Sequence, residues 1–176
     1  MAKLSKGWPK NNRDLDLDAF EIVYEEYRSI FDFETPYPKF KELSKESIED
    51  LIAVLSSVSF TSATGERHYK PGIETAAAYL YFLNKKHALS NGNKRVSLVG
   101  LLAYLKLNGK WLKTGWKKIY NIAKRVAKSK PKNRDKILKE CREFLKENLV
   151  DYEESLRESI IKSSDLWFKS FETKNG

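Results

Sequence analysis

Residues 87–95 combine side chains that suit phosphate chemistry. Four residues after His87, positions 91–95 hold an asparagine, a glycine, a second asparagine, a lysine and an arginine. The apolar stretch 96–105 directly after them predicts a buried helix, so that 92–95 would form its first turn. Backbone N–H groups, the helix dipole and cations at such a turn favour a bound anion. A histidine at its mouth could accept a proton from a hydroxyl that attacks the bound phosphate.

Five residues of this segment each have a candidate role and an ordinary alternative. His87 would be the general base, or a histidine whose charge suits a helix end. Lys94 and Arg95 would neutralise phosphate charge, or form a plain basic turn. Asn93 would cap the helix and orient a phosphate oxygen, although asparagine caps helices in any protein. Gly92 would let a phosphate approach the backbone, or would be a turn glycine.

The rest of the chain predicts an all-α protein, a compact helical bundle with one possible small β-hairpin before the motif helices. Asp14, Asp16 and Asp18 mark the start of a first amphipathic helix that reaches Phe31. Ser47 resembles the start of a capping box for a second helix, and residues 56–70 are typical of a loop or hairpin. Further helices are expected at 72–86, 94–107, 115–128, 137–149 and 155–171.

Length and composition favour one globular domain. The chain has 176 residues and is 41% hydrophobic, which suffices for a core. We divide it into a basic tail at 1–13 and a single domain at 14–176. No apolar run approaches the ~20 residues that span a bilayer, and the lone Cys141 suits a reducing compartment, so a cytoplasmic protein is expected. The two histidines have no zinc-site spacing.

The positive charge is concentrated in one segment. The net charge is +9, and residues 110–147 carry fourteen Lys or Arg against four acids. Such a segment is either a solvated helical face or a docking surface for an acidic partner or nucleic acid.

The segment 87–95 resembles the signature of the Fic/Doc family. Fic-type members have His-x-Phe-x-acid-Gly-Asn-Gly-Arg, and the Doc (death-on-curing) branch replaces the second glycine by lysine. Lys94 places the resemblance with the Doc branch, while Leu89 stands at the usual phenylalanine position and Asn91 at the usual acid position. The resemblance covers a motif core at about residues 45–115.

The resemblance implies site residues for an ATP-dependent transferase. The catalytic residues would be His87, Lys94 and Arg95. ATP would be bound through Gly92, Asn93, Lys94 and Arg95. Mg²⁺ would be coordinated by Asn91, which is otherwise a turn residue. A flap before the motif helices would align the substrate chain, or be an inert loop; it would contain Thr61, Ser62, Thr64, Glu66 and Arg67.

The lysine of the signature decides which reaction the resemblance implies. A glycine at that position lets the α- and β-phosphates sit in the turn, so that AMP is transferred. Lys94 would block that pose and invert ATP, so that the γ-phosphate reaches a Ser or Thr hydroxyl. The implied protein is a toxin that phosphorylates translation elongation factor Tu, arrests growth and is restrained by a separate antitoxin protein.

Two alternatives remain open from the sequence. The chain could be a Fic-type AMP transferase. It could also be an inactive Fic-fold module that binds nucleic acid or protein through its basic C-terminal half.

Overall fold

The computed structural model describes Trp8 and residues 12–28, 39–89 and 92–152. The described chain is all-α, as predicted, with helices α1 to α6 at Leu17–Arg28, Lys45–Ser59, Ile73–Lys85, Asn93–Leu107, Trp116–Lys128 and Arg134–Asn148. Two short 3₁₀ helices lie at Phe40–Glu42 and Pro131–Asn133. The predicted helix at 155–171, the end of the first helix at Phe31 and most of the tail lie outside the described residues.

The start of the first helix is as predicted, whereas the start of the second differs from the sequence prediction. The Asp16 carboxylate accepts a hydrogen bond from the N–H of Ala19 at 2.8 Å, so α1 begins at Leu17. The Ser44 hydroxyl accepts from the N–H of Ser47 at 3.1 Å, so the predicted cap at Ser47 is wrong.

The first four residues of the loop or hairpin predicted at 56–70 are in fact the last turn of α2. Ser57 and Ser59 donate their hydroxyls to the carbonyls of Val54 and Leu55, and Val58 is fully buried. These serines bond within the helix and do not interrupt it.

A two-stranded sheet closes the C-terminal part of the fold. Strand β1 (Lys110–Leu112) pairs antiparallel with strand β2 (Leu149–Asp151), with Trp111 opposite Val150. The buried Lys110 ammonium lies 2.5 Å from the Asp151 carboxylate. The sequence predicted no sheet there, because strands of three residues are too short to show an alternating pattern.

Helices α3 and α4 form the centre of the core, and the other helices pack around them. The two helices are in close contact at Gly100, where an added Cβ would lie 2.1 Å from Leu83 Cδ1. No helix of the described ranges is long and apolar enough to cross a membrane.

Gly100→Ala is therefore expected to lower the free energy of unfolding by about 1–3 kcal/mol, because the new methyl group overpacks the contact with Leu83. Urea denaturation measures this. Gly115→Ala is the matched control, since a Cβ there has no neighbour within 4 Å and the backbone φ is −68°. Equal stability of the two variants would contradict the close contact between α3 and α4.

Candidate active site

His87 lies directly after α3 in a left-handed backbone conformation. Its φ is 55°, and it is the non-glycine residue with positive φ among those described. The helix ends as the N–H of Lys86 bonds to the carbonyl of Phe82 at 2.8 Å, and His87 then turns the chain away. Its side chain is exposed. Backbone strain of this kind often accompanies function.

The loop after His87 is held by an amide pair. Asn93 Oδ1 accepts from the N–H of Leu89 at 3.0 Å, and Asn93 Nδ2 donates to the Leu89 carbonyl at 2.5 Å. The buried Leu89 side chain anchors the same loop in the core. The predicted cap at Asn93 is wrong, because Gly92 occupies the N-cap position and Asn93 is the first helical residue. Its carboxamide ties Leu89 to the first turn of α4.

The start of α4 has the features of an anion site. Gly92 adopts a left-handed conformation with φ 95°, no side chain caps the helix, and its first turn contains no acidic residue. Lys94 and Arg95 lie in that turn, both half-buried. Lys94 lies at the positive end of the helix dipole, where a bound anion would stabilise the turn. These residues fit a polyphosphate such as that of ATP.

A buried hydrogen-bond chain joins the two halves of the site. Asn84 Nδ2 donates to Ser97 Oγ and to the Ala123 carbonyl, both at 3.1 Å. Ser97 Oγ in turn donates to the Lys94 carbonyl at 2.8 Å. Asn84 precedes His87 by three residues, so it couples the end of α3 to the first turn of α4. Sequence reasoning missed Asn84, although a polar residue after the apolar run 76–83 was a visible signal.

A cavity of about 400 Å³ opens beside His87. It is formed by the first 3₁₀ helix, the start of α2 and the motif loop, which is the connection between α3 and α4. Its lining includes Glu42, Ser44, Glu46, Ser47, Asp50, Ala88 and Leu89. Asp50 pairs with Lys86 at 3.1 Å. Glu42, Glu46 and Asp50 give this cavity an acidic lining, whereas the first turn of α4 carries Lys94 and Arg95 and no acidic residue. The sequence did not reveal this, because the acids lie about forty residues before the motif.

The predicted flap is a tight hairpin. Thr61 and Arg67 form an antiparallel bridge, and the N–H of Ser62 donates to the Glu66 carbonyl at 2.8 Å. The hydroxyls of Ser62 and Thr64 are 2.7 Å apart. Arg67 pairs with Asp14, which anchors the hairpin to the chain before α1. None of these flap residues lines the cavity beside His87.

Other candidate groups are unsuited to chemistry. Burial raises the pKa of the Cys141 thiol to about 12, which makes it a poor nucleophile. His68 is exposed with its ring 4.6 Å from that of Tyr69. No group of three or more potential metal-binding side chains exists within the described ranges, and the predicted ligand Asn91 lies outside them.

One comparison with known proteins identified a family. The family model described as the Fic/DOC family matches residues 13–105, which is more than half of the chain. The match includes α1 to α3, the motif loop and almost all of α4. Comparison with curated proteins and with solved structures gave no match.

His87→Gly is expected to be more stable than His87→Ala by about 1 kcal/mol, because glycine adopts positive φ without a Cβ clash. Urea denaturation of both variants tests this. Lys86 is the control: its φ is −66° and its ψ −24°, so there the alanine variant should be the more stable one. The same order at both positions would contradict the left-handed conformation of His87.

Proposed function

The chain belongs to the Fic/DOC family, whose members are generally transferases that modify proteins, and on that premise we propose that it transfers the γ-phosphate of ATP to a Ser or Thr hydroxyl of a protein. The residues proposed for this chemistry are His87, Lys94 and Arg95, with Gly92 and Asn93 shaping the phosphate site.

Lys94 is the observation that carries the choice of phosphoryl over nucleotidyl transfer. It follows Gly92 and the anchored Asn93, and its carbonyl accepts the Ser97 hydroxyl, so its backbone is held at the first turn of α4. A long charged side chain then occupies the space that a glycine would leave open for the α- and β-phosphates. This supports an ATP orientation in which the γ-phosphate faces the acceptor.

The proposed step is an in-line displacement. The acceptor hydroxyl oxygen bonds to the γ-phosphorus as its proton passes to the His87 imidazole, and the bond to the β–γ bridging oxygen breaks to release ADP. Arg95 and Lys94 neutralise the charge on the phosphate oxygens, as a fork and a point charge. Mg²⁺, with Asn91 as its proposed ligand, would add further neutralisation when bound. Positioning by the two helices supplies much of the rate advantage.

The acidic cavity supports the direction from which the acceptor approaches. Glu42, Glu46 and Asp50 repel the nucleotide, which leaves the cavity to the hydroxyl-bearing segment of the target. His87 lines this cavity directly after α3, so its imidazole is proposed to take the proton of a hydroxyl that enters there.

The biological role is proposed from the resemblance to the Doc branch. The target would be translation elongation factor Tu, its modification would arrest growth, and a separate antitoxin protein would restrain the enzyme.

Labelling with ATP tests the reaction. A bacterial lysate incubated with the protein is expected to accept label from the γ-phosphate and none from the α-phosphate. His87→Ala should lower transfer by about 10²–10⁴-fold by removing the base, whereas His68→Ala, the other histidine, should retain it. Transfer of α-label would identify an AMP transferase instead, and absence of both labels would indicate an inactive binding module.

Expression of the wild-type protein alone is expected to arrest bacterial growth. Arg95→Ala should relieve the arrest because it removes the proposed phosphate clamp, whereas Arg142→Ala on α6 should not. Growth curves and immunoblots for soluble protein measure this. Normal growth with abundant soluble wild-type protein would contradict a toxin.

A further inference from the structure

Helix α5 presents a continuous cationic stripe. Lys117, Lys118, Lys124, Arg125 and Lys128 are all exposed, and the helix contains no acidic residue. At 3.6 residues per turn they fall within an arc of about 120°. Trp116, Ile119, Ala123 and Val126 are buried on the other side. The stripe runs for about 16 Å.

The neighbouring helix α6 has the ordinary pattern of a solvated face. It carries five Lys or Arg, interleaved with Asp135, Glu140, Glu143 and Glu147. Lys139 and Glu143 form a pair at 3.9 Å, four residues apart. The exposed face of α6 thus mixes acidic and basic side chains, as a face that only contacts solvent commonly does. The exposed face of α5 carries basic side chains and no acidic ones.

The position of two lysines adds a second argument. Lys117 and Lys118 lie in the first turn of α5, where positive charge opposes the helix dipole, and no acidic residue in that turn compensates. An anion bound along the stripe would remove this unfavourable interaction.

The composition of the stripe distinguishes between anionic partners. Protein interfaces depend on aromatic and apolar anchors at their centre. The large hydrophobic side chains that are well exposed in the described chain are Ile22, Ile52 and Phe60, and none belongs to α5. A polyanion recognised by charge alone requires no such anchor. The length of the stripe matches roughly five phosphates along one strand of a duplex.

We propose that the α5 stripe binds the phosphate backbone of a nucleic acid without reading its bases. Arg125 contributes less than the lysines because its guanidinium already pairs with Glu140 at 3.0 Å. Lys130 and Lys132 extend the positive surface past the end of the helix. This binding is separate from the transfer reaction, since the stripe lies outside the motif loop and the cavity beside His87.

Fluorescence anisotropy with a labelled 20-nucleotide RNA strand and a 20-base-pair duplex tests the proposal. The variant K117Q/K124Q/K128Q is compared with K45Q/K139Q/K146Q, which removes the same charge from α2 and α6. At 50 mM salt the stripe variant should bind at least about 30-fold more weakly than wild type, and the control within about 3-fold. The slope of log affinity against log salt should fall by about 2–3 for the stripe variant alone.

Three results would overturn the proposal: no binding by the wild type at 50 mM salt, equal losses in the two variants, or equally tight binding of polyglutamate of the same charge. The substituted lysines are exposed, so both variants should keep the wild-type thermal unfolding midpoint. A variant that unfolds early is replaced by the single substitutions K117Q and K128Q, each expected to lower the salt slope by about 1.

Discussion

The close packing of α3 against α4 is the contact on which the candidate site depends. His87 directly follows the first of these helices and Gly92 caps the second, so the packing of the two helices sets the distance between His87 and the first turn of α4. Gly100 allows the approach because it has no side chain to displace Leu83. Asn84 then adds direction to an otherwise apolar contact, since its amide must reach both Ser97 and the Ala123 carbonyl. Apolar packing alone would allow α3 to shift along α4, and these directional hydrogen bonds fix the two helices in one register.

Two local features around the motif run against the ordinary preferences of a stable fold. His87, a non-glycine residue, has a left-handed conformation, and Lys94 lies in the first turn of α4, at the positive end of the helix dipole. Each would be easy to improve by substitution if stability alone mattered. Their concentration within one loop and its neighbours is what a site selected for chemistry would retain, because the rest of the core, with its buried Tyr79 and Tyr104, follows ordinary packing rules.

The sequence predicted the helices and the motif better than the contacts between them. The spacing of apolar residues located α3 and α4 almost to the residue, because helical periodicity is a local property. The cap at Ser44, the β1–β2 pair and the acidic cavity were missed. The cap had a close competitor in Ser47, and the other two depend on residues about forty positions apart that only the tertiary fold brings together.

The match to the family ends at residue 105, but the core does not. Ile119, Val126, Cys141 and Leu145 are fully buried on α5 and α6, and Trp111 is enclosed beside the small sheet. The amide of Asn84 is satisfied in part by a carbonyl from α5. The residues that match the family are therefore fewer than those that form the hydrophobic core. A fragment that contained only the matched residues would expose to water the core side chains that α5 and α6 cover. A chimaera with a relative that kept both the matched residues and an intact core would need its junction after β2, because Lys110 on β1 is buried against Asp151 on β2.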